Sequence, residues 1–260
     1  MGCGTTTSEN TTYFEQTSVS MTGGCGMEVC KCETNICQIR LDFQTFVISG
    51  PSTRTASDTT FGILNGDVAP IAAGAAIADG GRCLTDTFQI TNQRTVPSIC
   101  GTNTGAHVYF DANEDCNSLD FQFGNSAVGI ASVATRSFSI KVSQISCNDE
   151  NLPPMGCTQY YYGTSGTNQV KTFNFDGGRH LADQAQNICV RRESGNCRIC
   201  WSADAKSDVG TSGDKKTTGS ATGIIDVRIY FTSKTKLRNG EQKYNSYLSH
   251  SGRIVLRIQG

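Results

Sequence analysis

From Cys37 the chain alternates strictly. Cys37, Ile39, Leu41 and Phe43 share one face, and Gln38, Arg40, Asp42 and Gln44 the other. A period of two marks a half-buried strand. The alternation recurs at Leu84, Phe88 and Ile90, at Leu119, Phe121 and Phe123, and at Phe138, Ile140 and Val142. A second set follows two prolines within 151–156: Tyr160, Tyr161 and Tyr162, then Val170, Thr172, Phe173 and Phe175, then Ile188 and Val190. Strand-like runs also occupy 224–231 and 254–258. Each run is short and bounded by turn residues, and no window carries a helical stripe. Many short strands between frequent turns predict an all-β chain, an antiparallel β-sandwich or jelly roll.

Between these runs the polar positions predict the organisation. Residues 1–24 are rich in Thr, Ser, Asn and Gly and read as an extended polar arm. Residues 66–82 form an Ala/Gly insertion, read as a loop with a helical turn, and 151–156 read as a linker. Residues 206–260 hold ten Lys/Arg against four Asp/Glu and no cysteine, so the C-terminal stretch is a basic tail.

Composition narrows the class. The 260 residues are 37% hydrophobic and 17% charged, too apolar for a disordered polyelectrolyte. A net charge of -1 excludes a whole-chain nucleic-acid binder, and no specific nucleic-acid partner is expected. No apolar run reaches the ~18 residues of a membrane-spanning helix. Thirteen cysteines point to an oxidising compartment, where disulfides persist. Zinc modules want two close cysteine pairs, and the chain has one C-x-x-C, Cys197 to Cys200, with no spaced histidine pair. A metal or redox role for Cys197 and Cys200 is therefore the lesser alternative. The odd count leaves one thiol unpaired or bonded between chains. The start lacks the basic and apolar regions of a signal peptide, which implies a removed leader or a fragment. Met1-Gly2 opens like a myristoylation site without the rest of its pattern. Asn10-Thr11-Thr12 is a glycosylation sequon, a weak sign of secretion.

Candidate chemistry is sparse. His107 and His180 sit in strand and turn contexts and read as structural, and His250 lies in the tail. Neither a G-x-S-x-G elbow nor a phosphate-binding G-x-x-x-x-G-K-[ST] loop occurs, so no catalytic residues and no enzyme activity are expected. Arg191-Arg192-Glu193 offers two cations for an anion, but adjacent strand residues point to opposite faces, so Arg191 and Arg192 do not form one fork. Alternation buries either Tyr160 and Tyr162 or Tyr161, which reads as core plus rim.

Segments 36–43, 80–105, 138–147, 152–162 and 173–201 resemble the secreted CUB-domain proteins of arthropods. The resemblance implies a disulfide-stapled antiparallel β-sandwich, a CUB-like jelly roll. It places one complete domain at 25–147 and the start of a second at 148–205. The family pattern calls for further cysteines after Trp201, and the basic, cysteine-free tail at 206–260 departs from it; its strand-like runs are the candidates to complete the second domain. The resemblance also implies that Cys83-Leu-Thr-Asp86 and Cys100-Gly101 carry a hairpin disulfide between Cys83 and Cys100. Cys147 with Cys157 and Cys189 with Cys197 or Cys200 are offered as further pairs, and spacing alone does not decide the connectivity. In many relatives the aspartate corresponding to Asp86 helps hold calcium. Here Ala78 replaces the earlier carboxylate, and Phe123-Gly124-Asn125 supplies no later Asp. Calcium wants several carboxylates, so Asp86 reads as a vestigial position and no cofactor is expected. The function implied is a secreted, non-enzymatic protein acting through extracellular protein or glycan contacts. Self-association into a matrix or filament is the structural alternative.

Overall fold

The computed structural model describes residues 1–19, 22–51, 53–55, 76–78, 82–91, 93, 96–124, 135–163, 167–177, 181, 184, 186–191, 193–194, 200–202, 230–232, 235–236, 242–243 and 255–259, the backbone alone for 53–55, 76–78, 167–168 and those from 200 onward. Among the described residues up to 147 there are ten strands: β1 (Thr5–Thr7), β2 (Thr11–Val19), β3 (Gly23–Cys30), β4 (Ile36–Val47), β5 (Thr53–Thr55), β6 (Ala76–Ala78), β7 (Asp86–Ile90), β8 (His107–Asp111), β9 (Cys116–Phe123) and β10 (Arg136–Ser146). Two four-stranded sheets arise from them, ordered β1-β3-β9-β7 and β2-β10-β4-β8. All their pairings are antiparallel except the short β1–β3 pair.

The sheets face each other across one core, as the alternation requires. Met27, Val29, Phe88, Leu119 and Phe121 from the first sheet meet Phe14, Ile39, Leu41, Phe43, Val108, Phe138 and Ile140 from the second, each 0–1% exposed. Phenylalanines dominate the contact. Phe121 stacks on Phe138 at 4.1 Å, and Phe88 meets Phe46 edge-on at 5.7 Å. Inward positions of β4 run Ile39, Leu41, Phe43 and then Phe46. The odd step matches a register shift against β10 between Ser139 and Ile140, an extra residue in β4 that resets its pleat. The chain is therefore all-β among the described residues, a disulfide-stapled sandwich.

Two expectations are corrected here. Residues 1–24 are no outlying arm: β1 joins one sheet, β2 the other, and Phe14 is fully buried. Its inward positions, Thr12, Phe14 and Val19, carry too few apolar side chains to show as an alternating run. Leu84, grouped with the inward face of β7, is 49% exposed, and the inward set is Asp86, Phe88 and Ile90. A carboxylate at an inward position hid that register.

Beyond 147 come β11 (Gln159–Tyr161), β12 (Thr167–Lys171), β13 (Ile188–Arg191), β14 (Cys200–Ser202), β15 (Tyr230–Thr232), β16 (Thr235–Lys236), β17 (Gln242–Lys243) and β18 (Val255–Gln259). They pair as β11-β13-β15, which is parallel, as β12-β18-β14, and as a β16–β17 hairpin. The tail thus supplies strands to both larger sheets of this second unit. In the Ala/Gly insertion, 76–78 pair with β5; the expected helical turn lies outside the described residues.

Candidate functional site

Outward residues of β4 and β8 form three polar cross-strand pairs: Gln38 with Asp111, Arg40 with Tyr109, and Asp42 with His107. Gln38 Nε2 donates to Asp111 Oδ1 at 2.8 Å, and Arg40 Nη1 to the Tyr109 hydroxyl at 2.8 Å. Arg40 also grips Asp42 Oδ1 through Nε and Nη2, at 2.9 and 2.6 Å. These pairs sit where solvent would normally lie. The second unit covers them instead, because β8 is a sheet edge with unpaired backbone groups.

The covering segment runs from Gly156 to Tyr162. Tyr109 N–H donates to Thr158 O at 2.8 Å, and Tyr160 N–H donates to His107 Nε2 at 3.1 Å. Gly156 N–H reaches Asp111 Oδ2 at 3.3 Å. An apolar seam of Tyr109, Tyr160, Cys157 and Cys189, with Ile145 alongside, closes it. Burial and the nearby Arg40 hold the His107 imidazole down at about pKa 4. Burial pushes the Tyr109 phenol up to about 12, and likewise raises Tyr161. His107 is structural, as its strand context implies, and its ring acts as a main-chain acceptor. In the tyrosine triple, Tyr160 is buried, Tyr161 half-buried and Tyr162 38% exposed. Simple alternation fails here because β8 meets two adjacent residues, Tyr109 against Tyr160 and His107 against Tyr161, while Tyr162 lies under Arg191.

A second anchor lies beyond β11. Asn174, 2% exposed and at φ +58°, accepts from Thr102 N–H at 3.1 Å and donates its own N–H to Asn103 Oδ1 at 2.7 Å. Gly101, at φ +83°, faces the Asn174 side chain so closely that a Cβ there would overlap it. Between these anchors opens a groove of about 280 Å³, lined by the 102–106 turn, Gln159, Tyr161, Lys171, Phe175 and Asp176, among others. Lys171 Nζ pairs with Asp176 Oδ1 at 3.1 Å and lies over the Phe175 ring.

The calcium position tells a different story. Asp86 is 0% exposed and Arg136 3%. Arg136 Nε meets Asp86 Oδ2 and Arg136 Nη2 meets Oδ1, both at 2.7 Å. Ser49 N–H and Gly124 N–H complete the carboxylate at 2.8 and 3.2 Å. Each oxygen accepts two hydrogen bonds, and a guanidinium already balances the charge. Ser49 Oγ and Thr85 Oγ1 are buried nearby without a hydrogen-bond partner, but two neutral hydroxyls do not make a calcium shell. The described residues here do not fit that ion. Nothing in the spacing pointed to Arg136, 50 residues from Asp86.

Five disulfides join the described cysteines: Cys3–Cys25, Cys30–Cys116, Cys37–Cys147, Cys83–Cys100 and Cys157–Cys189. The expected Cys147–Cys157 pair and the partners offered for Cys189 are thereby corrected. Cys147 follows β10 where Ser146 pairs with Ile36, within reach of Cys37, and β11 pairs with β13, which brings Cys157 to Cys189. Cys32 is the free thiol among the described residues, half-buried against the core. Cys30 and Cys116 lie close to Glu28, but their sulfurs are bonded to each other and ligate nothing. The side chains of Cys197 and Cys200, like His180, Arg192 and His250, lie outside the described residues. Asn10 is exposed between β1 and β2. No helix among the described residues is long and apolar enough to cross a membrane.

Residues 154–247 match the family model described as Animal CUB domain. The match takes in most of the second unit, stopping before β18, and the sandwich before residue 147 lies outside it. No curated protein matches the chain. Among solved structures, the CUB1-EGF-CUB2 domains of rat MASP-1 are similar at 10% identity, over 98% of this chain and 94% of that chain, with a TM-score of 0.30. CUB domains are generally extracellular modules that mediate protein interactions.

Proposed function

We propose that the chain is a secreted, non-enzymatic binding protein that acts by contacting another extracellular protein. The match of residues 154–247 to the Animal CUB domain model carries this reading. Five disulfides support it, since cross-links of this density persist outside reducing compartments. The second unit also presents side chains suited to a partner. Tyr162 is 38% exposed with Arg191 stacked over its ring at 4.9 Å, and Met155 is 81% exposed. Tyrosine, arginine and methionine are enriched at protein interfaces. Glu193 holds Arg191 Nε at 2.8 Å and so keeps the guanidinium over the ring.

The test is a binding screen of the oxidised chain against a defined panel of purified extracellular proteins and a glycan array. Saturable binding to a protein, weakened at least ~10-fold by Tyr162→Ser with Met155→Ser, supports the proposal. Saturable binding to glycans alone, or a disulfide map with Cys83 and Cys100 as free thiols, overturns it.

A further inference from the structure

We infer that His107 is an acid-opened latch on the seam between the sandwich and the second unit. Its Nε2 accepts the Tyr160 N–H at 3.1 Å, and an accepting ring nitrogen carries no proton. The closed seam therefore requires the neutral imidazole. Protonation turns that acceptor into a donor facing another donor, and the bond is lost. Tyr109 N–H to Thr158 O and Gly156 N–H to Asp111 Oδ2 also tie this stretch directly to β8.

The surroundings oppose the proton. Arg40 and Asp42 face the ring from β4, Tyr109 from β8, and Tyr161 from β11, with ring centroids 5.5 and 5.0 Å away for the two tyrosines. Asp42 favours a charged ring, but Arg40 already holds its Oδ1 through two hydrogen bonds. Burial and the Arg40 charge prevail, and the closed seam keeps the imidazole at about 4 against 6.5 for a free one. The sign follows. The open state binds the proton more readily, so closure is fully favoured above pH 6.5 and weakens as pH falls toward 4. Across that window the closed-to-open ratio drops roughly 100-fold, and the full few-hundred-fold gap between the two values is reached only below pH 4. This inference stands apart from the identity of any partner.

Amide hydrogen exchange on the full, oxidised chain tests it, after correction for intrinsic exchange rates. Between pH 6.5 and 4 the Tyr160 and Tyr109 amides are expected to lose at least ~10-fold in protection, while Ile140 in the sandwich core keeps its own. His107→Gln places an amide oxygen near the Nε2 position and does not titrate, so its seam stays protected at pH 4. The wild-type ring titration by NMR is the independent check. A His107 that titrates between pH 6 and 7 with the seam unchanged, or the same acid loss in His107→Gln, overturns the inference.

Discussion

Asp86 and Arg136 neutralise each other inside the sandwich, carboxylate to guanidinium, with both contacts at 2.7 Å. The pair links the start of β7 to the start of β10. Through Ser49 N–H, Gly124 N–H and Gly124 O it also binds the ends of β4 and β9. Removing one partner leaves a buried charge without compensation, a loss of about 3–5 kcal/mol. Arg136→Met is expected to lower unfolding stability by that amount. Asp86→Asn with Arg136→Met should cost less than the sum of the single changes. A strictly additive cycle in denaturant titrations would contradict the coupling.

Calcium should leave this molecule's melting midpoint where it is. An ion that bound the folded state at 100 times its Kd would add about 2.7 kcal/mol, and a midpoint rise of several degrees would reveal it. Melts in millimolar calcium and in chelator are expected to coincide within ~1 °C.

Disulfide losses should scale with the loop each bond closes. Cys37–Cys147 spans 110 residues and Cys83–Cys100 spans 17. The chain-entropy model gives about 4.7 kcal/mol for the longer and about 3 kcal/mol for the shorter. Replacing both cysteines of each pair by alanine, with denaturation measured side by side, should rank them in that order.

Gly101 admits the Asn174 side chain only because it lacks a Cβ, and its φ of +83° suits glycine. Gly101→Ala is expected to loosen the second unit from the sandwich, at roughly 2 kcal/mol or more. Limited proteolysis should then cut within 148–157 faster than in the parent. An unchanged digestion pattern would argue against this anchor.

At the alkaline end the sign reverses. Burial raises the Tyr109 phenol to about 12, above its ordinary 10. The stability it contributes is present below pH 10 and is lost as pH climbs through 12. Absorbance at ~295 nm should report late-ionising tyrosines, with one fewer of them in Tyr109→Phe while the raised Tyr161 remains.

By itself the sequence determined the strands that alternate cleanly, the sandwich they build and the reliance on sulfur. Period-two burial is a local property: Ile39, Leu41 and Phe43 declare one face without reference to the rest of the chain. Tertiary structure decided the remainder. Which cysteine meets which depends on strand order, so Cys147 joins Cys37 across 110 residues and not its near neighbour Cys157. Thin patterns such as Thr12, Phe14 and Val19 became strands only because two sheets were there to receive them. In one dimension nothing joins Arg40, His107, Tyr109 and Tyr160 into one set. They become a buried seam because the exposed edge of β8 needs hydrogen-bond partners, and a segment some 50 residues onward supplies them.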